Sequence, residues 1–189
     1  MAKPQSFAHV VLMTRRLDQM VDWYRKVLCV DVRFQHPVLT FLSIDEEHHR
    51  VALVNLSVFD PEEELQVSAR AGSMEHMAFT YASAADLFEN YARVKSLGIE
   101  PYWCIHHGMT LSMYYGDPDG NQIECQVEVY ASAEEANEFL KSDAFMKNPI
   151  GVEFDPEELL ARKERGVPES ELLRYVEGPM MAPRSFPGR

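Results

Sequence analysis

One order of secondary-structure signals occurs twice in this chain, and that repeat limits the folds open to it. Phe7 to Thr14 is apolar and rich in β-formers. From Leu17 to Leu28, the residues Leu17, Met20, Val21, Tyr24, Val27 and Leu28 recur at helical spacing. Val30 to Phe34, Val38 to Ile44 and His49 to Val58 are short strand-like runs. A polar stretch with Asp60-Pro61 and three glutamates reads as a linker or loop. The order then starts again. Met74 to Tyr81 reads as a strand, and Ala84 to Leu97 as a helix with Leu87, Tyr91, Val94 and Leu97 on one face and Gly98 at its end. Three more strands follow, Glu100 to Ile105, Met109 to Tyr115 and Gln122 to Val129, with Asp117-Pro118-Asp119-Gly120 as the turn before the last. The prediction is an α+β fold: two tandem βαβββ modules, about 7–58 and 74–130, forming one open barrel.

The chain has 189 residues, so about 60 remain after residue 130. In 131–189, Ala131 to Leu140 and Pro156 to Arg165 read as helices, the second opened by Asp155-Pro156 and closed by Gly166. Pro168 to Val176 reads as a third, short helix. Pro179 to Arg189 is proline-rich and is expected to be extended. This extension carries Phe139, Leu140, Phe145, Leu159, Leu160, Leu172, Leu173 and Tyr175 but no histidine. It is expected to cover the outside of the barrel or clasp a second subunit, and to supply no metal ligand.

The net charge of −12 argues against nucleic acid as a partner. Cys29, Cys104 and Cys125 have no metal-like spacing and form no disulfide framework, so they read as reduced thiols of a cytoplasmic protein. MAKPQSF lacks the apolar stretch of a signal peptide, and no run approaches the ~20 apolar residues of a membrane span.

The residues suited to chemistry fall at matching places in the two halves. His9 and His76 occupy the same slot of the repeat. A lone histidine on a strand is more often a satisfied core residue than a ligand. The repetition weighs against that reading, and so does Glu124, a carboxylate amid Ile123 and Val127 that needs a partner if it is buried. Two imidazoles and one carboxylate on three strands, with coordination positions left open, make the donor set of a non-haem Fe(II) oxygenase. No cysteine falls in these slots, and Cys125 points to the opposite face from Glu124. Strand alternation through Val51 and Leu53 places His49 rather than His48 with the inward set. The turn at Gly108 blurs the choice between His106 and His107, and periodicity does not choose between Tyr114 and Tyr115.

The segment running from Ile105-His106-His107 through Met113-Tyr114 and Asp117-Pro118-Asp119-Gly120 to Glu124 resembles the vicinal oxygen chelate superfamily. Within it, the chain is similar to small, single-barrel type I extradiol ring-cleaving dioxygenases over roughly Phe7 to Tyr130. The resemblance implies a barrel built around a metal, with His9, His76 and Glu124 as ligands of Fe(II) and Mn(II) as the alternative ion. It implies that His49 acts near the dioxygen site and that His107 and Tyr114 contact the substrate hydroxyls. The activity it implies is extradiol cleavage of a catechol-type diol with O2, in aromatic compound catabolism. A homo-oligomer is expected, because edge strands of such barrels pair between subunits. Fosfomycin-type thiol transferases use two histidines and a glutamate with Mn(II), but have no need of His49, His107 and Tyr114. Glyoxalase I usually takes four protein ligands, and no fourth acid stands in the slot. Non-catalytic binding modules of the same fold lack the triad.

Overall fold

The computed structural model describes residues 7–58, 74–180 and 184. The polar linker expected from Asp60 onward and most of the proline-rich tail lie outside the described residues. The chain divides into two compact units, one of residues 1–73 with Asp117–Asp119, the other of 74–116 with 120–189.

In the first unit, β1 (Val10–Thr14), α1 (Leu17–Leu28), β2 (Asp31–Gln35), β3 (Leu39–Ser43) and β4 (Val51–Asn55) appear in the predicted order. The sheet runs β1-β4-β3-β2, with β1 parallel to β4 and the other pairs antiparallel. Helix α1 forms because its apolar positions all fall on one face, and Met20, Tyr24 and Val27 of that face are fully buried. Leu42, Val51 and Leu53 are buried on β3 and β4, the two strands α1 packs against. The helix opens at Arg16 without a side-chain cap and ends at Cys29, whose φ of 53° is left-handed. Along β1, Leu12 and Thr14 are buried while Val11 and Met13 are exposed, so period-2 alternation separates a covered face from an open one.

The second unit holds β5 (His76–Tyr81), α2 (Ala84–Ser96), β6 (Trp103–His106), β7 (Thr110–Gly116) and β8 (Gln122–Glu128). Ser83 caps α2 by accepting the Asp86 N–H, and Gly98, with φ +78°, takes the left-handed position after it. After β8 come α3 (Ala133–Phe139), α4 (Asp143–Lys147), β9 (Val152–Glu153), α5 (Pro156–Glu164) and α6 (Glu169–Leu172). The sheet order is β5-β8-β7-β6-β9.

Both sheets are mixed and open, and each carries helices, so the class is α+β with the repeated βαβββ order. The extension packs on the second unit. Helices α5 and α6 lie against α2, and Leu159, Leu172 and Leu173 are buried. The Ala84 N–H donates to Glu169 at 2.6 Å, and Glu157 receives both the Tyr91 hydroxyl and Lys95. The strand expected over His49 to Val58 stops at Asn55, and Leu56–Val58 is a 3-10 turn. In the extension, two elements were not foreseen. α4 is a single short turn, and β9 is a two-residue strand pairing Val152 with His106 and Glu153 with Ile105. Neither is long enough to show a period. β9 depends on Gly151, where a Cβ would sit 2.3 Å from the His106 carbonyl oxygen.

Candidate active site

In the second unit, strand register gathers four of the six expected residues. Glu124 on β8 lies opposite Tyr114 on β7 and Ala78 on β5. Its carboxylate is almost fully buried, with 5% of the side chain exposed, and His76 Nε2 stands 2.9 Å from it. Burial alone would raise the Glu124 pKa, but hydrogen bonds from His76 and Ser112 outweigh that and hold it below the ordinary value. The same contact to Glu124 lifts His76 to about 9 against the opposing effect of burial, with Glu75 adding to the rise. Burial first, then the neighbouring Glu124 charge, raises the Tyr114 pKa well above the phenol range. His107 Nε2 lies 3.0 Å from the Tyr114 hydroxyl and 4.0 Å from Glu124. The rings of His76 and Tyr114 meet edge to face at 5.3 Å. Trp103 closes the other side against Tyr114 and His107.

The two ambiguous pairs resolve here. Tyr114 faces the cluster, whereas Tyr115 is buried on the opposite face of β7. His106 Nδ1 accepts the Gly108 N–H at 3.0 Å, and its Nε2–H donates to the Leu173 carbonyl at 2.9 Å, so both its ring nitrogens serve the scaffold. His107 lies one residue past the end of β6, with its ring half-buried beside Tyr114.

The other two expected residues belong to the first unit. His9 precedes β1 by one residue rather than lying within it, and shares the open side with Val11 and Met13. His49 also precedes its strand, because β4 begins at Val51. Only 8% of His49 is exposed, and its ring stacks on Phe41 with centroids 4.2 Å apart and planes 9° from parallel. The His9 ring lies 4.3 Å from that of His49. Burial, then the neighbouring His9 and His48, lowers the His49 pKa, which favours the neutral ring. His48 has 70% of its side chain exposed. Alternation through Val51 and Leu53 thus picked the buried member of the pair.

Sequence reasoning missed Glu75. Its carboxylate holds His76 Nδ1, and Gln122 fixes it by donating to its backbone carbonyl at 2.9 Å and to its side chain. Tyr102 in turn donates to Gln122 Oε1 at 2.6 Å. A carboxylate on the Nδ1–H fixes the ring so that Nε2, whose proton here goes to Glu124, is the nitrogen a metal would take in place of that proton. An acidic residue before a strand gave no signal of this in the sequence, since most such residues are solvated. Within either unit by itself, the described residues gather no three His, Cys, Asp or Glu side chains as a metal group. The second unit brings two possible donors together, His76 and Glu124. That pair fits a divalent cation: a buried anion beside an imidazole whose Nε2 is aimed at it.

Among known proteins, the model of the Glyoxalase/Bleomycin resistance protein/Dioxygenase superfamily matches residues 6–125. The chain is 40% identical over 177 residues to biphenyl-2,3-diol 1,2-dioxygenase 2 of Rhodococcus globerulus, covering 93% of this chain and 90% of that one. It is 40% identical over 165 residues to biphenyl-2,3-diol 1,2-dioxygenase 3 of the same organism, covering 87% and 85%. Among solved structures, the fosfomycin resistance protein FosX of Listeria monocytogenes, complexed with Mn(II) and sulfate, superimposes with a TM-score of 0.53 at 16% identity. That match covers 72% of this chain and 98% of FosX, and it is a likeness of fold. No helix among the described residues is long and apolar enough to cross a membrane.

Proposed function

The chain belongs to the glyoxalase/bleomycin resistance protein/dioxygenase superfamily, and from that premise we propose that it is an extradiol dioxygenase, an enzyme that opens a catechol-type aromatic diol with O2 under Fe(II). The observation that carries this reading is the buried Glu124 with His76 on one side and the Tyr114–His107 pair on the other. The 40% identity to two biphenyl-2,3-diol dioxygenases over most of both chains supports it. Residues 1–130 carry the chemistry in this reading and 131–189 support them.

His9, His76 and Glu124 would hold the metal. When bound, Fe(II) supplies the means of passing electrons from the diol to dioxygen. One carboxylate and two neutral imidazoles leave that ion at net +1, which favours a singly ionised diol. Tyr114 keeps its proton, because burial and Glu124 oppose its ionisation, so it donates a hydrogen bond to a substrate oxygen. His107 presents Nε2 beside it and orients the second hydroxyl. His49, neutral and desolvated against Phe41, takes and returns one proton during ring opening. The three cysteines are free, which suits the reducing cytoplasm.

The test is anaerobic loading of the full chain with Fe(II), and separately with Mn(II). Air and a panel of mono- and bicyclic catechols follow, with biphenyl-2,3-diol first. The expected result is a yellow ring-fission product with the Fe(II) form. No product from any catechol with either metal overturns the assignment.

A further inference from the structure

The His107 ring makes two hydrogen bonds, and the one facing away from the cluster fixes where its proton lies. Its Nδ1 meets the backbone carbonyl of Ile150. A carbonyl only accepts, so Nδ1 must carry the hydrogen. In the neutral ring Nε2 is then a bare acceptor, and it is Nε2 that meets Tyr114. The carbonyl comes from the extension, 43 residues further along the chain.

The turn that presents this carbonyl is built rather than incidental. Asn148 is buried, with 4% exposed. Its Oδ1 accepts the Ile150 N–H at 3.2 Å and the Gly151 N–H at 2.9 Å. Its Nδ2 donates to Gly151 O at 2.8 Å and to Gly178 O at 3.2 Å. Every hydrogen-bonding position of the amide is used. Gly151 has φ +116° and no room for a Cβ, so the chain there has one path. The Ile150 side chain packs on Trp103, Ile105 and Tyr114, which anchors the turn to the wall of the cluster. Neighbouring His106 carries the opposite tautomer, with its Nε2–H given to Leu173 O and its Nδ1 accepting from Gly108.

We propose that the Asn148–Gly151 turn is a positioning element of the active site, which locks His107 in the Nδ1–H tautomer so that Nε2 stays an acceptor for a substrate hydroxyl. The role of His107 toward substrate rests on the dioxygenase reading above; the tautomer does not. The free imidazole has no such lock and populates both tautomers, so losing the Ile150 carbonyl converts part of the acceptor population into donors.

The experiment has two arms on the full chain. In the metal-free form, nitrogen-15 NMR with labelled histidine reads the tautomers in alkaline buffer, where ordinary imidazoles are neutral. Wild type should show Nδ1–H at His107 and Nε2–H at His106. Asn148→Ala should turn His107 into a mixture while His106 stays unchanged. Asn148→Ser keeps an acceptor for the Ile150 N–H and should restore most of the wild-type signal. In the Fe(II)-loaded form, Asn148→Ala should raise KM for catechol about five- to tenfold, the size of one net hydrogen bond, with kcat changed less. Nε2–H at His107 in wild type overturns the proposal and needs no variant to fold. So does an unchanged tautomer in a folded Asn148→Ala, or a lost tautomer with unchanged kinetics. A chain that shows the expected tautomers but cleaves no catechol sinks the dioxygenase reading and leaves the lock standing.

Discussion

The two units share a scaffold and differ in what faces the repeated histidine. In the first, Val11 of β1 pairs with Ala52 of β4, and Ala52 pairs with Phe41 of β3. In the second, Ala78 of β5 pairs with Glu124 of β8, and Glu124 pairs with Tyr114 of β7. Val11 follows His9 by two residues, as Ala78 follows His76, so the registers correspond. Ala52 therefore stands where Glu124 stands, and Phe41 where Tyr114 stands. The first unit stacks His49 on an apolar ring; the second holds its histidines by hydrogen bonds to a carboxylate and a phenol. Duplication thus fixed the positions, and two side-chain identities decided which copy carries the anion. The helices differ in the same way. α1 is uncapped and ends on a left-handed Cys29, while α2 is capped by Ser83 and followed by Gly98.

Making the second unit like the first should break its chemistry. Glu124→Ala installs the residue of the first unit, and should lower metal affinity by more than the ~10–100-fold typical of losing an outer partner of a ligand. Turnover should vanish with it, as read by metal analysis and product formation on the same sample. A variant with full iron and full turnover removes Glu124 from the site. His49→Gln should keep iron and lower kcat by ~10² to 10⁴, the range of a general acid–base group, while the exposed His48→Gln should run near wild type. The reverse outcome would mean that the solvent-facing histidine does the work and that the stack on Phe41 is only packing. Tyr114→Phe copies Phe41 and removes one hydroxyl. The expected loss in kcat/KM is about tenfold, with iron content unchanged, and lost iron would mean that the phenol holds the metal site together. The smallest effects concern helix ends. Cys29→Gly should raise stability by ~0.5–1 kcal/mol by relieving the left-handed side chain, and Gly98→Ala should lower it by ~1 kcal/mol, both by denaturant midpoint. Equal and negligible shifts at the two sites would erase the difference between the helices.

Much of this was legible because the elements are long or doubly signalled. The apolar face of α1 sets its bounds from Leu17 to Leu28 without help from tertiary contacts. His9 and His76 stood out through repetition, Glu124 as a carboxylate amid Ile123 and Val127, and His49 through alternation. What escaped was short or depended on distant chain. β9 has two residues and no period, and Glu75 acts only because Gln122 and His76 meet it. The choice of His107 over His106 was hidden because Gly108 resets the alternation and because carbonyls of Ile150 and Leu173, far along the chain, decide which ring does what.

The pairing of β9 with β6 also sets a schedule for synthesis. β6 has its neighbour β7 within a few residues, but its other side waits for Val152 and Glu153. At ~5–20 residues per second, a ribosome needs roughly 2–9 seconds between making the two strands. During that interval the backbone of Trp103–His106 is an uncovered edge, the surface on which another strand adds most readily. A message cut short before residue 152 leaves the edge bare for good. The late segment is therefore a closing stitch for the nascent chain, and neighbouring chains on one polysome are the partners it shuts out.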